Sequence, residues 1–196
     1  MKYTFALLAV AMMIGCTNST KKITEEISEE IHTSAISKEI NLMVEDTIDG
    51  GMMLLGPINR KGLMSEPFNE WFSENQQAHE LDSAAIASLK PLLQDAKITV
   101  FMGTWCEDSQ REVPALYEIL DAAEYDYDHF NIIAVSHDKE TPNGLEKGHR
   151  IEFVPTLIFT KNGDTLNRIV EYAHQTLEKD MIRILQGEEY TPAYAD

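Results

Sequence analysis

Cysteine is scarce in this chain: its 196 residues carry two, Cys16 and Cys106. Two sulfurs make one disulfide at most, which excludes a stapled cysteine framework. Positive charge is short as well. The 16 Lys and Arg face 33 Asp and Glu, for a formal net charge of −17. That balance argues against nucleic acid or an anionic membrane surface as a partner, and its plain reading is a solvated acidic surface. No glycine-rich phosphate loop occurs, Gly50-Gly51 being too short to count. The six histidines are scattered, with no two-His helix spacing and no cysteine pair, so neither a metal site nor a cofactor is expected. Internal repeats and low-complexity blocks are missing too.

What remains is ordinary globular material. The chain is 43% hydrophobic and 25% charged, and its length suits one domain plus a leader. The leader is residues 1–15. Met1-Lys2 gives a positive start, and the apolar stretch Phe5 to Ile14 is too short to span a bilayer. Gly15-Cys16 follows, and a small residue then Cys at that place resembles the bacterial lipoprotein signal. The resemblance implies cleavage before Cys16 and a lipid on its sulfur. Thr17, which is not Asp, implies the outer membrane, with the protein facing the periplasm of a bacterial cell envelope. Only Cys106 then keeps a free thiol, a liability in an oxidising compartment unless it is buried or used.

Residues 16–39 are rich in Thr, Ser, Lys and Glu and read as a flexible tether, with a short amphipathic helix allowed by Ile23, Ile27 and Ile31. Residues 40–95 read as an N-terminal segment packing on the domain. Met52 to Leu55 is an edge-strand candidate, Ser65-Glu66-Pro67 opens a helix carrying Phe68, Trp71 and Phe72, and Asp82 caps a helix over Ser83 to Leu93 that Pro91 should bend. Met52-Met53 and Trp71-Phe72 are most simply core. From Ile98 to Met102 a strand leads into a loop and a helix from about Glu107 to Ala123, with Val113, Leu116, Ile119 and Leu120 as its buried stripe. Asn131 to Ser136 is a strand whose unbroken apolar run suits cover on both faces. Thr141 to Gly148 is loop, Thr156 to Thr160 and Thr165 to Val170 form a hairpin across Lys161-Asn162-Gly163-Asp164, and Gln175 to Leu185 is a final helix stopped by Gly187. The order begins as a βαβ unit with a parallel pair and ends antiparallel, an α/β architecture with a central mixed sheet flanked by helices and a helical N-terminal extension.

One stretch carries chemistry. A strand delivers Trp105-Cys106 to the first turn of a helix, where free backbone N–H groups and the positive dipole end favour a thiolate. Glu107 and Asp108 oppose it with negative charge. The Ser109 hydroxyl is placed to donate a hydrogen bond to the sulfur.

At these residues the chain resembles thioredoxin-fold proteins. Trp105-Cys106 matches the family's Trp-Cys, Pro114 its helix-kinking proline, Val154-Pro155-Thr156 its cis-proline segment, and Lys161-Asn162-Gly163 its last hairpin turn. Trp105 to Pro114 is similar to the Trp-Cys-x-Asp-Ser-x-Arg-Glu-Val-Pro motif of thioredoxin-like lipoproteins of Bacteroidetes-type bacteria. The resemblance covers roughly residues 90–187 and makes 96–196 the thioredoxin-like domain. It implies Cys106 as nucleophile, helped by Trp105, Ser109 and Pro155, with Val154, Thr156, Glu107 and Asp108 along the substrate groove. Three departures stand out: Ser109 replaces the resolving Cys, Val100 replaces a buried acid, and Glu171 replaces a glycine that leaves room for substrate.

A site with one thiol cannot release its own mixed disulfide. The resemblance therefore implies monothiol thiol-disulfide exchange, reducing or isomerising protein or mixed disulfides. Its partners would be protein or peptide thiols and disulfides plus an external thiol reductant, with the membrane engaged through the lipid. The alternative is a non-catalytic thioredoxin-fold binding module of the cell envelope. His137-Asp138, at a strand's C-terminal end, reads as a solvated loop rather than an acid-base pair. The peroxiredoxin pattern is missing, since Gly103 stands where its Thr would be.

Overall fold

A computed structural model describes residues 39–195. The leader, Cys16, the tether up to residue 38 and the Ile23, Ile27 and Ile31 helix lie outside the described residues.

Alternation of buried and open side chains builds a hairpin first. Strand β1 (Leu42–Glu45) pairs antiparallel with β2 (Met52–Ile58), Leu42 opposite Leu55 and Glu45 opposite Met52. Leu54 and Ile58 point into the core, while Met52 is 40% exposed. Sequence reading made Met52 core and β2 an edge strand. Instead β1 takes the edge, and β2 sits inside the sheet, pairing antiparallel with β4 (Phe130–Ala134) from Gly56 to Ile58. The supposed helical extension is therefore a hairpin plus helices.

Three helices follow the hairpin: α1 (Arg60–Leu63), α2 (Asn69–Ala78) and α3 (Ser83–Leu93). The α2 helix starts at Asn69, after a cis Glu66-Pro67 bond, so Pro67 lies ahead of the helix rather than within its first turn. Asp82 caps α3 by accepting from the Ala84 and Ala85 amides. Pro91 stays inside that helix, near its end, where few later turns depend on it.

The sheet's middle comes next. Strand β3 (Ala96–Met102) runs into α4 (Glu107–Ala122), which returns to β4, and β3 and β4 form the single parallel pair of the described sheet. Strands β5 (Thr156–Lys161) and β6 (Asp164–Val170) turn across Asn162-Gly163, both with positive φ as a tight hairpin demands. Helix α5 (Leu177–Leu185) is the last helix among the described residues, capped by Thr176 and followed by Gly187 at φ 73°. The result is a six-stranded mixed sheet, order β1-β2-β4-β3-β5-β6, flanked by helices.

Side-chain alternation sorts the two faces. Ile98, Val100, Met102, Ile132, Leu157 and Phe159 join buried residues of the five α-helices among the described residues in one large core. Phe101, Val135, Val154 and Ile158 form a smaller cluster on the other face, and Trp105, Cys106 and Ile151 pack against it. Apolar cover on both faces explains the unbroken run Ile132 to Val135. The Trp105-Cys106 turn thus sits where β3 ends, on the thinner side of the sheet.

Candidate functional site

Cys106 is the N-cap residue of α4, half-buried, with extended backbone at φ −90° and ψ 122°. Four contacts hold the turn that carries it. The Cys106 amide donates to the Gly103 carbonyl at 3.1 Å. The Gln110 side chain donates to the Thr104 carbonyl at 2.8 Å, and the buried Thr104 hydroxyl accepts from the Leu54 amide at 3.1 Å. The Trp105 indole donates to the Val135 carbonyl at 3.0 Å, crossing from the turn to the end of β4.

The sulfur's own partner is the Val154 carbonyl, 3.1 Å from Sγ, and the Val154-Pro155 bond is cis. Ser109 is fully buried and its oxygen accepts from the Gly103 amide at 3.2 Å. The bond that the structure gives Ser109 is this acceptance from the loop, and the partner of the sulfur is the Val154 carbonyl rather than the Ser109 hydroxyl. The Thr156 hydroxyl is turned inward, donating to the Phe153 carbonyl at 2.7 Å. Thr156 also lines a cavity of about 450 Å³ together with Arg150, Arg168 and Tyr194. Glu171 has a left-handed backbone of the kind a glycine favours (φ 58°), and its amide donates to the Pro155 carbonyl at 2.8 Å. Val100 is fully buried, so an acid there would have been buried too.

The first-turn acids separate. Glu107 is exposed, whereas Asp108 pairs with Arg111 at 2.7 Å, and Arg111 also reaches Glu112 at 2.9 Å. Burial lifts the Glu112 carboxyl above the usual carboxylate range, with the Arg111 guanidinium opposing.

His137 is the residue that sequence reading passed over. The expected solvated loop places the imidazole flat against the Trp105 ring, centroids 4.1 Å apart at 19°. Its Nε2 lies 3.0 Å from Asp46 Oδ2, and Asp46 is 3% exposed. The His137 hydrogen bond, helped by the Ile48 and Asp49 amides, holds the Asp46 carboxyl below the usual range against the pull of burial. Asp49 also approaches His137 Nε2, at 3.9 Å. Position after a β-strand was the available sequence signal for His137; its partner lies 91 residues away in the β1–β2 loop.

No family model matches the chain, and no curated protein does. Among solved structures it is similar to a protein of unknown function from Pseudomonas aeruginosa (17% identity, 61% of this chain, 84% of that one, TM-score 0.47). It is similar also to an HIV epitope scaffold (16% identity, 62% and 86%, TM-score 0.47). A third is the oxidised form of mitochondrial thioredoxin 3 from Saccharomyces cerevisiae (21% identity, 43% and 76%, TM-score 0.30).

Proposed function

We propose that the protein carries out monothiol thiol-disulfide exchange through Cys106, as a thioredoxin-like protein tethered to the cell envelope by lipid on Cys16. The observation that carries this reading is a half-buried sulfur at a helix start, 3.1 Å from the carbonyl that precedes a cis proline. A substrate backbone laid along Val154 would bring its disulfide to that sulfur.

The Cys106 thiolate attacks one sulfur of a substrate disulfide. The new S–S bond forms as the old one breaks, and the departing sulfur leaves as a thiolate that takes up a proton. A second thiolate then attacks the substrate sulfur of the mixed disulfide and frees Cys106. If that thiolate is another cysteine of the substrate, the disulfide is isomerised; for reduction an external small thiol attacks the Cys106 sulfur instead and releases the substrate as a thiol, and a second equivalent of that thiol then frees Cys106 and departs as the symmetrical disulfide. Ser109, buried and bonded to Gly103, takes no part in the second step.

Incubating wild type and Cys106→Ser with a glutathionylated peptide and excess glutathione tests this. Faster deglutathionylation by wild type is expected, with a mixed disulfide that disappears on reduction. Equal rates would sink the enzymatic reading and leave a groove that only binds. Anchoring is tested separately: wild type should partition into detergent and Cys16→Ala into water.

A further inference from the structure

We propose that Asp46, Asp49 and His137 form a binding site for a divalent transition-metal ion, set against the Trp105-Cys106 turn. The inference stands apart from the thiol chemistry, because none of its donors is the sulfur.

The donor set is one imidazole nitrogen and two carboxylate oxygens, which suits a borderline ion such as Zn²⁺. One donor atom from each residue lies within 4.8 Å of the others. Around a tetrahedral zinc, with bonds of about 2.0–2.2 Å, ligand atoms stand roughly 3.3 Å apart. The observed 3.0 Å from His137 Nε2 to Asp46 Oδ2 and 3.9 Å to Asp49 Oδ2 straddle that spacing.

Two of the three donors are held within the fold, and only Asp49 is exposed. The side chains of Asp46 and His137 are 3% and 16% exposed. Asp46 Oδ1 accepts from the Ile48 and Asp49 amides at 3.0 and 3.2 Å, which aims the carboxylate so that both its oxygens face His137 Nε2, Oδ1 at 3.1 Å and Oδ2 at 3.0 Å. The Trp105 ring fixes the plane of His137. Support of this kind orients metal ligands.

Charge separates a metal site from a simple ion pair. One imidazolium matches one carboxylate, but here a second carboxylate approaches the same nitrogen. Asp46, Asp49 and a protonated His137 sum to −1, whereas the two carboxylates, a neutral imidazole and a dication sum to zero. The Lys139 ammonium donates to the His137 carbonyl at 2.9 Å and makes no ion pair with Asp46 or Asp49. A cavity of about 250 Å³ is bounded by Asp46, Asp49, Thr104, Trp105 and Gln110, so the two carboxylate residues, though not His137, border a space that an ion and its water could enter.

Calorimetric titration of the full chain with Zn²⁺ tests the proposal, with Co²⁺ absorption as a second readout. One ion per chain is expected, together with a rise in melting temperature and a change in indole emission, since both tryptophans, Trp71 and Trp105, line that cavity. Co²⁺ should give visible bands without a thiolate charge-transfer band, and Cys106→Ser should bind as wild type does. His137→Ala should abolish binding. Asp49→Asn, at a side chain 61% exposed that the fold does not need, should weaken it at least tenfold, and it decides the matter if His137→Ala fails to fold. No saturable binding by wild type overturns the proposal. So does wild-type affinity in Asp49→Asn, or loss of binding in Cys106→Ser.

Discussion

Gly103 shows how one missing carbon shapes the turn that carries Cys106. A Cβ there would stand 2.5 Å from Trp105 Cε2 and 2.8 Å from Cζ2 and Nε1. The ring cannot give way cheaply, because its nitrogen is bonded to Val135 and its face is stacked on His137. Gly103→Ala must therefore push the indole off its support or distort the turn. Overpacking of this kind costs about 1–3 kcal/mol. The expected outcome is a lower urea midpoint together with faster alkylation of Cys106, since Trp105 and Cys106 pack on the same small cluster. Wild-type values for both would show that the ring's place does not depend on Gly103.

Between elements, the telling contact is the one that replaces a ladder bond. The β2–β4 pairing runs from Ile58 to Gly56 and stops, and at Leu54 the amide donates to the Thr104 hydroxyl instead. The side chain of a turn residue thus continues the sheet and couples the hairpin to the Cys106 loop. Thr104→Val keeps the shape, removes the acceptor and leaves a buried N–H unpaired, at a cost of about 1–3 kcal/mol. Equilibrium unfolding should show that loss, with hydrogen exchange at Leu54 speeding up. Unchanged exchange would count against the coupling. Such contacts also mark what the sequence could and could not reveal. The α4 stripe, the β5–β6 turn and the caps at Asp82 and Gly187 were legible because each depends on residues a few positions apart. So was Cys106 at a helix start. The place of β2 within the sheet was not, because Met52 to Leu55 reads alike at an edge or inside. The pairing of Asp46 with His137 was equally hidden, since nothing in either local stretch names a partner so far along the chain. Ser109 was legible as the missing second thiol, but its turn toward Gly103 depends on how the loop closes.

For the molecule as a whole, residues 39–95 and the segment that carries Cys106 make one structure. The hairpin supplies two of six strands, and Leu54, Leu63, Phe72, Leu89 and Leu93, each at most 1% exposed, belong to the same core as Leu116 and Phe159. Buried Glu178 on α5 completes the tie, meeting His79 Nε2 at 3.0 Å and the Asp82 amide at 3.4 Å. Each large apolar side chain taken out of water contributes about 1.5–3 kcal/mol. Five together rival the whole stability of a typical domain, about 5–15 kcal/mol. A fragment of residues 96–196 would also bare the β4 edge where Gly56 to Ile58 now pair. It should therefore lack a cooperative thermal transition and bind a hydrophobic dye, while a chain beginning at residue 39 melts in one step. A cooperative melt of the shorter fragment would mean that the Cys106 region folds alone and that the hairpin is an accessory. A single transition only in the longer chain would make the hairpin part of what holds the sulfur in place.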